Sequence, residues 1–108
     1  MTGVTGITVG YVPDLIDRSK VASAAGGAVT FVATPADLPA AAEGAALVVV
    51  DLSRPGVLAV LPSIPAPTLG FGRHDDRELL AAASKAGCDR VLARNAFFAQ
   101  VGDLLRRP

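Results

Sequence analysis

The segment "VVVDLSRPG" (48–56) drives an apolar run into one carboxylate, Asp51, with Ser53, Arg54 and a Pro-Gly pair just beyond it. A carboxylate delivered by a buried strand to the start of a turn can contact a ligand or neutralise a nearby cation. Ser53 and Arg54 read as residues that cap or flank the turn, with no independent role. A second stretch, "GFGRHD" (70–75), sets two glycines, Arg73 and His74 before a helix, and helix N-terminal amides attract anions. Gly-x-Gly alone completes neither a phosphate loop nor a dinucleotide pattern, so a strand-to-helix turn with a solvent-facing His74 is expected there. His74 is the one histidine and has no second His, paired cysteine or nucleophile near it in sequence, which excludes a triad or a zinc site. Cys88 follows Gly87 at a strand start and reads as a small buried hydrophobe. No acid–base or nucleophile–base pair assembles from these residues, so the expectation is a non-enzyme with no metal and no cofactor.

Composition narrows the field further. The 108 residues make one domain, and 51% hydrophobic content with 19% charged content belongs to a folded chain. Ten basic residues balance ten acidic ones, which removes any whole-chain attraction for nucleic acid or an anionic membrane, and Arg106-Arg107 is too small a basic cluster to restore it. A lone cysteine rules out an internal disulfide and suits a reducing cytosol. The opening "MTGVTGITVG" lacks the basic and apolar regions of a signal peptide, and no apolar run approaches the ~20 residues that span a bilayer. A cytoplasmic location is expected.

The elements that must position Asp51 alternate regularly. "ITVGYV" (7–12), "AVTFVAT" (28–34) and "ALVVVDL" (46–52) read as strands, "PAPTLGFG" (65–72) as a fourth weakened by Pro and Gly, and "CDRVLAR" (88–94) as a fifth. Between them lie helical segments at 15–26, 34–45, 57–64 and 75–87, with a last one at 96–107. Asp14 is placed as the N-cap of the first, with Asp17 three residues on, and Gly26-Gly27 as its stop. Pro39 shortens the second or pushes its start later, and Pro62 cuts the third. The unbroken apolar run of the third strand fits a strand buried on both faces of a parallel sheet. These features predict an α/β fold: a three-layer α/β/α flavodoxin-like sandwich whose five parallel strands run in the order 2-1-3-4-5. Its crevice lies beyond the carboxyl ends of the strands, where Asp51 falls.

"ALVVVDLSRPG", with "LGFGRHDDRELLAAASKAGCDRVLARNAF", resembles the response-regulator receiver domains, and the resemblance runs from Ile7 to about Leu105. It implies that Asp51 is the counterpart of the phosphoacceptor. The two adjacent magnesium-binding acids of receivers fall on Val12 and Pro13, neither of which ligates a metal. Asp14 is the nearest substitute, one residue late and better suited to capping. The Ser or Thr that ends the fourth receiver strand maps to Gly72, the switch aromatic to Val91, and the Lys-Pro of the fifth strand to Arg94-Asn95. In this alignment Arg94 is delivered to Asp51, and a structural Asp51–Arg94 pair is the expected arrangement.

With only Asp51 and a cation kept, the resemblance implies a stand-alone pseudo-receiver that acts through protein contacts without phosphorylation. Two alternatives are a phosphorylatable receiver with an improvised metal site at Asp51, and a small-ligand binder at the loops of Asp14, Ser53, Arg73 and His74. Receivers commonly pair through their fourth helix, fifth strand and fifth helix, which places a partner or a second copy on that surface. Phe97 and Phe98 begin the last helical segment, where adjacent side chains diverge, so one is expected in the core and the other at the centre of that interface.

Overall fold

The third strand is the axis of the molecule. In the computed structural model, which describes residues 6–106, β3 (Leu47–Asp51) is buried along its whole length. The first five residues and the last two, Arg107 of the terminal basic pair among them, lie outside the described part. Alternate side chains of β3 enter two separate cores, which explains its unbroken apolar run. Val48 and Val50, with Leu52 beyond them, join Val9, Tyr11 and Leu38 on one side, while Leu47 and Val49 join Val21, Phe71 and Phe97 on the other.

β1 (Thr8–Tyr11), β2 (Val29–Phe31), β4 (Thr68–Gly72) and β5 (Arg90–Ala93) complete a parallel sheet in the order β2-β1-β3-β4-β5. That is the predicted doubly wound order. α1 (Leu15–Ala24) and α5 (Arg94–Arg106) cover one face. α2 (Leu38–Ala41), α3 (Val57–Val60) and α4 (Arg77–Lys85) supply the other core.

Local chemistry sets the element ends. Asp14 caps α1, its Oδ1 accepting from the amides of Ile16 and Asp17 at 2.9 Å each. Gly26 and Gly27 stop that helix with φ of 65° and 82°, a region open to glycine. The second and third helical segments break up at their prolines as predicted: Pro39 stands in the first turn of α2, and Pro62 lies in the turn that follows α3. Pro35–Asp37 is a 3-10 turn before α2, and Leu61–Ser63 is another after α3. The strands are shorter than predicted, and α5 starts at Arg94 rather than at residue 96, directly from the end of β5.

Gly70 allows the centre of the sheet to close. A Cβ there would lie 2.7 Å from Cδ2 of Leu52, the residue that follows Asp51 and is 1% exposed. The bare backbone lets Leu52 lie on β4 and anchors the turn that carries Asp51.

Candidate functional site

The parallel register brings the C-terminal strand ends to one edge: Tyr11 is opposite Val50, Asp51 opposite Phe71, and Gly72 opposite Ala93. Val12, Asp51, Gly72 and Arg94 therefore share the crevice region. Their side chains form two ion pairs, and neither is the expected one.

Asp51 is turned back on its own loop. Its Oδ1 accepts from the Ser53 amide at 3.0 Å and the Ser53 hydroxyl at 2.6 Å, and its Oδ2 accepts from Nε of Arg54 at 3.3 Å. The carboxylate side chain is 6% exposed, against 39% for Arg54. Burying an acid requires donors, and this loop supplies them within three residues. Ser53 and Arg54, read from the sequence only as residues that cap or flank the turn, with Ser53 also in the alternative ligand loop, thus hold Asp51.

Arg94 faces elsewhere. Its Nη1 donates to Oδ2 of Asp17 at 2.7 Å, and its Nη2 donates to Oδ1 of the same carboxylate. The expected Asp51–Arg94 pair is not formed. Three features account for this. Asp17 lies four residues before Val21 on the buried stripe of α1, α1 packs on α5, and a guanidinium matches a carboxylate through two parallel hydrogen bonds. The hydrogen bond that Arg94 donates to Asp17, followed by the charges of Asp17 and Asp51, raises the Arg94 pKa. The guanidinium also lies 5.0 Å from the Phe98 ring centroid and 5.9 Å from that of Phe71. Asp17 is the residue sequence reading missed; the available signal was an acid on the inner stripe of a helix, where it must find a cation.

The remaining candidates are spread around this edge. Asp14 is exposed and serves as a cap, its carboxyl held below the usual carboxylate value first by the Asp17 amide. Val12 is fully buried and Pro13 has no donor oxygen in its side chain. Gly72 carries no hydroxyl, and a Cβ there would already sit 3.2 Å from Leu80 and 3.4 Å from Leu79. Among the described residues no group of three or more His, Cys, Asp and Glu is arranged to hold a metal ion. The magnesium that the receiver resemblance implies does not fit this donor set.

Arg73 is engaged by Asp75 through two hydrogen bonds of 3.1 and 2.8 Å, which lowers the Asp75 carboxyl and raises Arg73. His74 is exposed on the turn, and Asp76 caps α4 through the Leu79 amide. The anion-loop residues are thus committed to a turn. Cys88 is buried, and desolvation pushes its thiol up to about 11.

The two phenylalanines separate, but not onto the expected surface. Phe97 is fully buried and stacks on Phe71 with centroids 4.6 Å apart. Phe98 is half-buried and meets both rings edge-on. Its exposed side looks toward α1, where the Lys20 ammonium lies 5.1 Å from its centroid. Val91 packs into the core on the α4 side. The large hydrophobics exposed among the described residues are Ile7, Leu15 and Ile16, and the last two open α1 beside the Asp51 edge.

No protein-family model matches the sequence, and no curated protein matches it significantly. Solved structures do match the fold. The signal receiver domain of the response regulator NarL from Mycobacterium tuberculosis superposes with a TM-score of 0.76 at 17% identity, covering 96% of this chain and 95% of that one. The phosphorylated cyanobacterial phytochrome response regulator RcpA gives 0.74 at 13% identity, covering 95% and 90%. The chain therefore has the fold of a response-regulator receiver domain.

Proposed function

We propose that this chain is a receiver-like signalling module that acts through protein contacts and without phosphorylation of Asp51. The observation that carries the reading is the pairing at the strand ends. Asp51 is occupied by Ser53 and Arg54, and the cation that a phosphoryl group would need, Arg94, is held by Asp17. In-line phosphoryl transfer depends on positioning and on neutralising the developing charge, usually with a metal. Here the metal-binding side chains are replaced by Val12 and Pro13, and the cation serves the joint between α1 and α5. Leu15 and Ile16, 75% and 69% exposed, are apolar side chains of the kind a protein partner covers.

The test is incubation with acetyl phosphate and magnesium, followed by intact-mass measurement. The unmodified mass is expected throughout. A phosphoryl adduct on the wild-type chain that disappears in Asp51→Asn would establish a phosphorylatable receiver instead.

A further inference from the structure

The end of the sheet opposite Asp51 carries a cavity whose charges the fold leaves uncommitted. It measures about 210 Å³ and lies where β3, β4 and β5 begin, bordered by the end of α5. Leu47, Leu69 and Leu104 supply its apolar lining, and Thr68, Asp89 and Arg90 its polar lining. The parallel register groups them, since Val48 is opposite Thr68 and Leu69 opposite Arg90. Asp89 is fixed in place: its Oδ2 accepts from the Thr68 amide at 2.8 Å, which leaves its Oδ1 and its charge for another donor. Arg90 is exposed, and neither it nor Asp89 is in an ion pair among the described residues. The Asp51 edge differs, because there Arg54 serves Asp51 and Arg94 serves Asp17. Ligands of open α/β sheets favour the carboxyl ends of the strands. In this chain the uncommitted charges of both signs beside an apolar wall stand at the other end.

We propose that this cavity binds a free aliphatic α-amino acid, with the ammonium on Asp89, the carboxylate on Arg90 and the side chain against the three leucines. The chemistry matches group by group. A guanidinium takes a carboxylate through two parallel hydrogen bonds, and a fixed carboxylate takes an ammonium. Leu47, Leu69 and Leu104 are buried, so the tips that face the cavity offer apolar contact without a polar group. A simple anion would reach Arg90 but lie beside the like charge of Asp89, and a simple amine would meet the reverse conflict at Arg90. A zwitterion satisfies both residues at once. The volume of 210 Å³ equals that of about seven liquid waters, which suits one small aliphatic molecule and is too small to enclose a nucleotide.

The cavity lies at the far end of the sheet from Asp51, so this inference and the phosphorylation reading can each fail alone. The measurement is titration of the isotope-labelled full chain with L-leucine, L-valine and L-isoleucine, followed by the backbone amide resonances. Saturable shifts centred on Thr68, Asp89 and Arg90, with none at Asp51, are expected for at least one of them. Isocaproate, which lacks the ammonium, and isoamylamine, which lacks the carboxylate, should each bind about tenfold more weakly or worse. Asp89→Asn keeps an acceptor for the Thr68 amide but loses the charge. It should weaken the amino acid by about tenfold and abolish the preference over isocaproate. Arg90→Met, at an exposed position, should weaken it as much and abolish the preference over isoamylamine. No saturable response to any of the three amino acids up to about 10 mM overturns the proposal. Shifts that fall away from the cavity overturn it equally, as does isocaproate or isoamylamine binding as tightly as the amino acid, or an affinity that neither substitution alters.

Discussion

Arg94 shows how much one side chain decides. A lysine there would present a point charge, whereas the guanidinium makes a two-toothed pair with Asp17 and lies against the Phe71 and Phe98 rings. Arg94→Lys is therefore expected to destabilise despite keeping the charge. The two partners should respond unequally to removal. Arg94→Met leaves Asp17, whose side chain is 3% exposed, as an uncompensated buried carboxylate, at a cost on the order of 3 kcal/mol. Asp17→Asn leaves a guanidinium that is 40% exposed and can hydrate, so about 1 kcal/mol is expected. Urea denaturation of the variants checks the order, and the reverse order would mean that Asp17 is not buried by this contact. A double-mutant cycle should give coupling of about 1 kcal/mol between positions 17 and 94, and additivity between 51 and 94. Asp14 adds a pH dependence of known sign. Its folded carboxyl is held below the unfolded value, so its contribution is complete above about pH 4 and is lost as pH falls through the lowered folded value. Asp14→Asn, which keeps an N-capping side chain but cannot ionise, should flatten this part of the acid denaturation profile; an unchanged profile would show that the cap does not titrate with folding.

At the scale of elements, the packing around β4 makes two predictions. Gly70→Ala places a methyl within 2.7 Å of Leu52 and should cost about 1–3 kcal/mol by overpacking, with Leu52→Ala removing part of that penalty in the double variant. Simple additivity in thermal melts would show that the two residues do not compete for one space. Phe97→Ala, in the fully buried stack on Phe71, should cost about 3–5 kcal/mol, and Phe98→Ala less than half of that. Equal losses would mean that Phe98 is as much a core residue as its neighbour. These elements also mark what the sequence made legible. Strand order, the Asp14 cap and the burial of Cys88 followed from local signals: apolar runs, a capping acid before a helix, and a cysteine after a glycine turn. The pairing at the strand ends did not. Asp17 and Arg94 are 77 residues apart, and their contact depends on how α1 settles against α5. The receiver alignment placed Arg94 at the correct edge but could not say which of two carboxylates it would meet. Pro39 and Pro62 were legible too: the second helix starts late, at Leu38, and the third ends at Val60 before a 3-10 turn, as those prolines predict.

For the whole molecule, the fold places a receiver-like edge on one end of the sheet and a two-helix face along its side. The Asp17–Arg94 pair joins them, because it ties the edge to α1 and α5 at once. In the proposed function this pair keeps Arg94 occupied and holds the molecule in one arrangement, leaving surface contacts to carry the signal. The most direct test is a titration of the isotope-labelled chain with magnesium and beryllofluoride, a phosphoryl mimic, followed by the backbone amide resonances and the Arg94 Nε–H resonance. The account predicts no saturable shift at residues 12–14, 51–54 or 72–74 and an Arg94 signal that stays in place. Saturable magnesium-dependent shifts around Asp51, accompanied by movement of the Arg94 signal and abolished by Asp51→Asn, would contradict it.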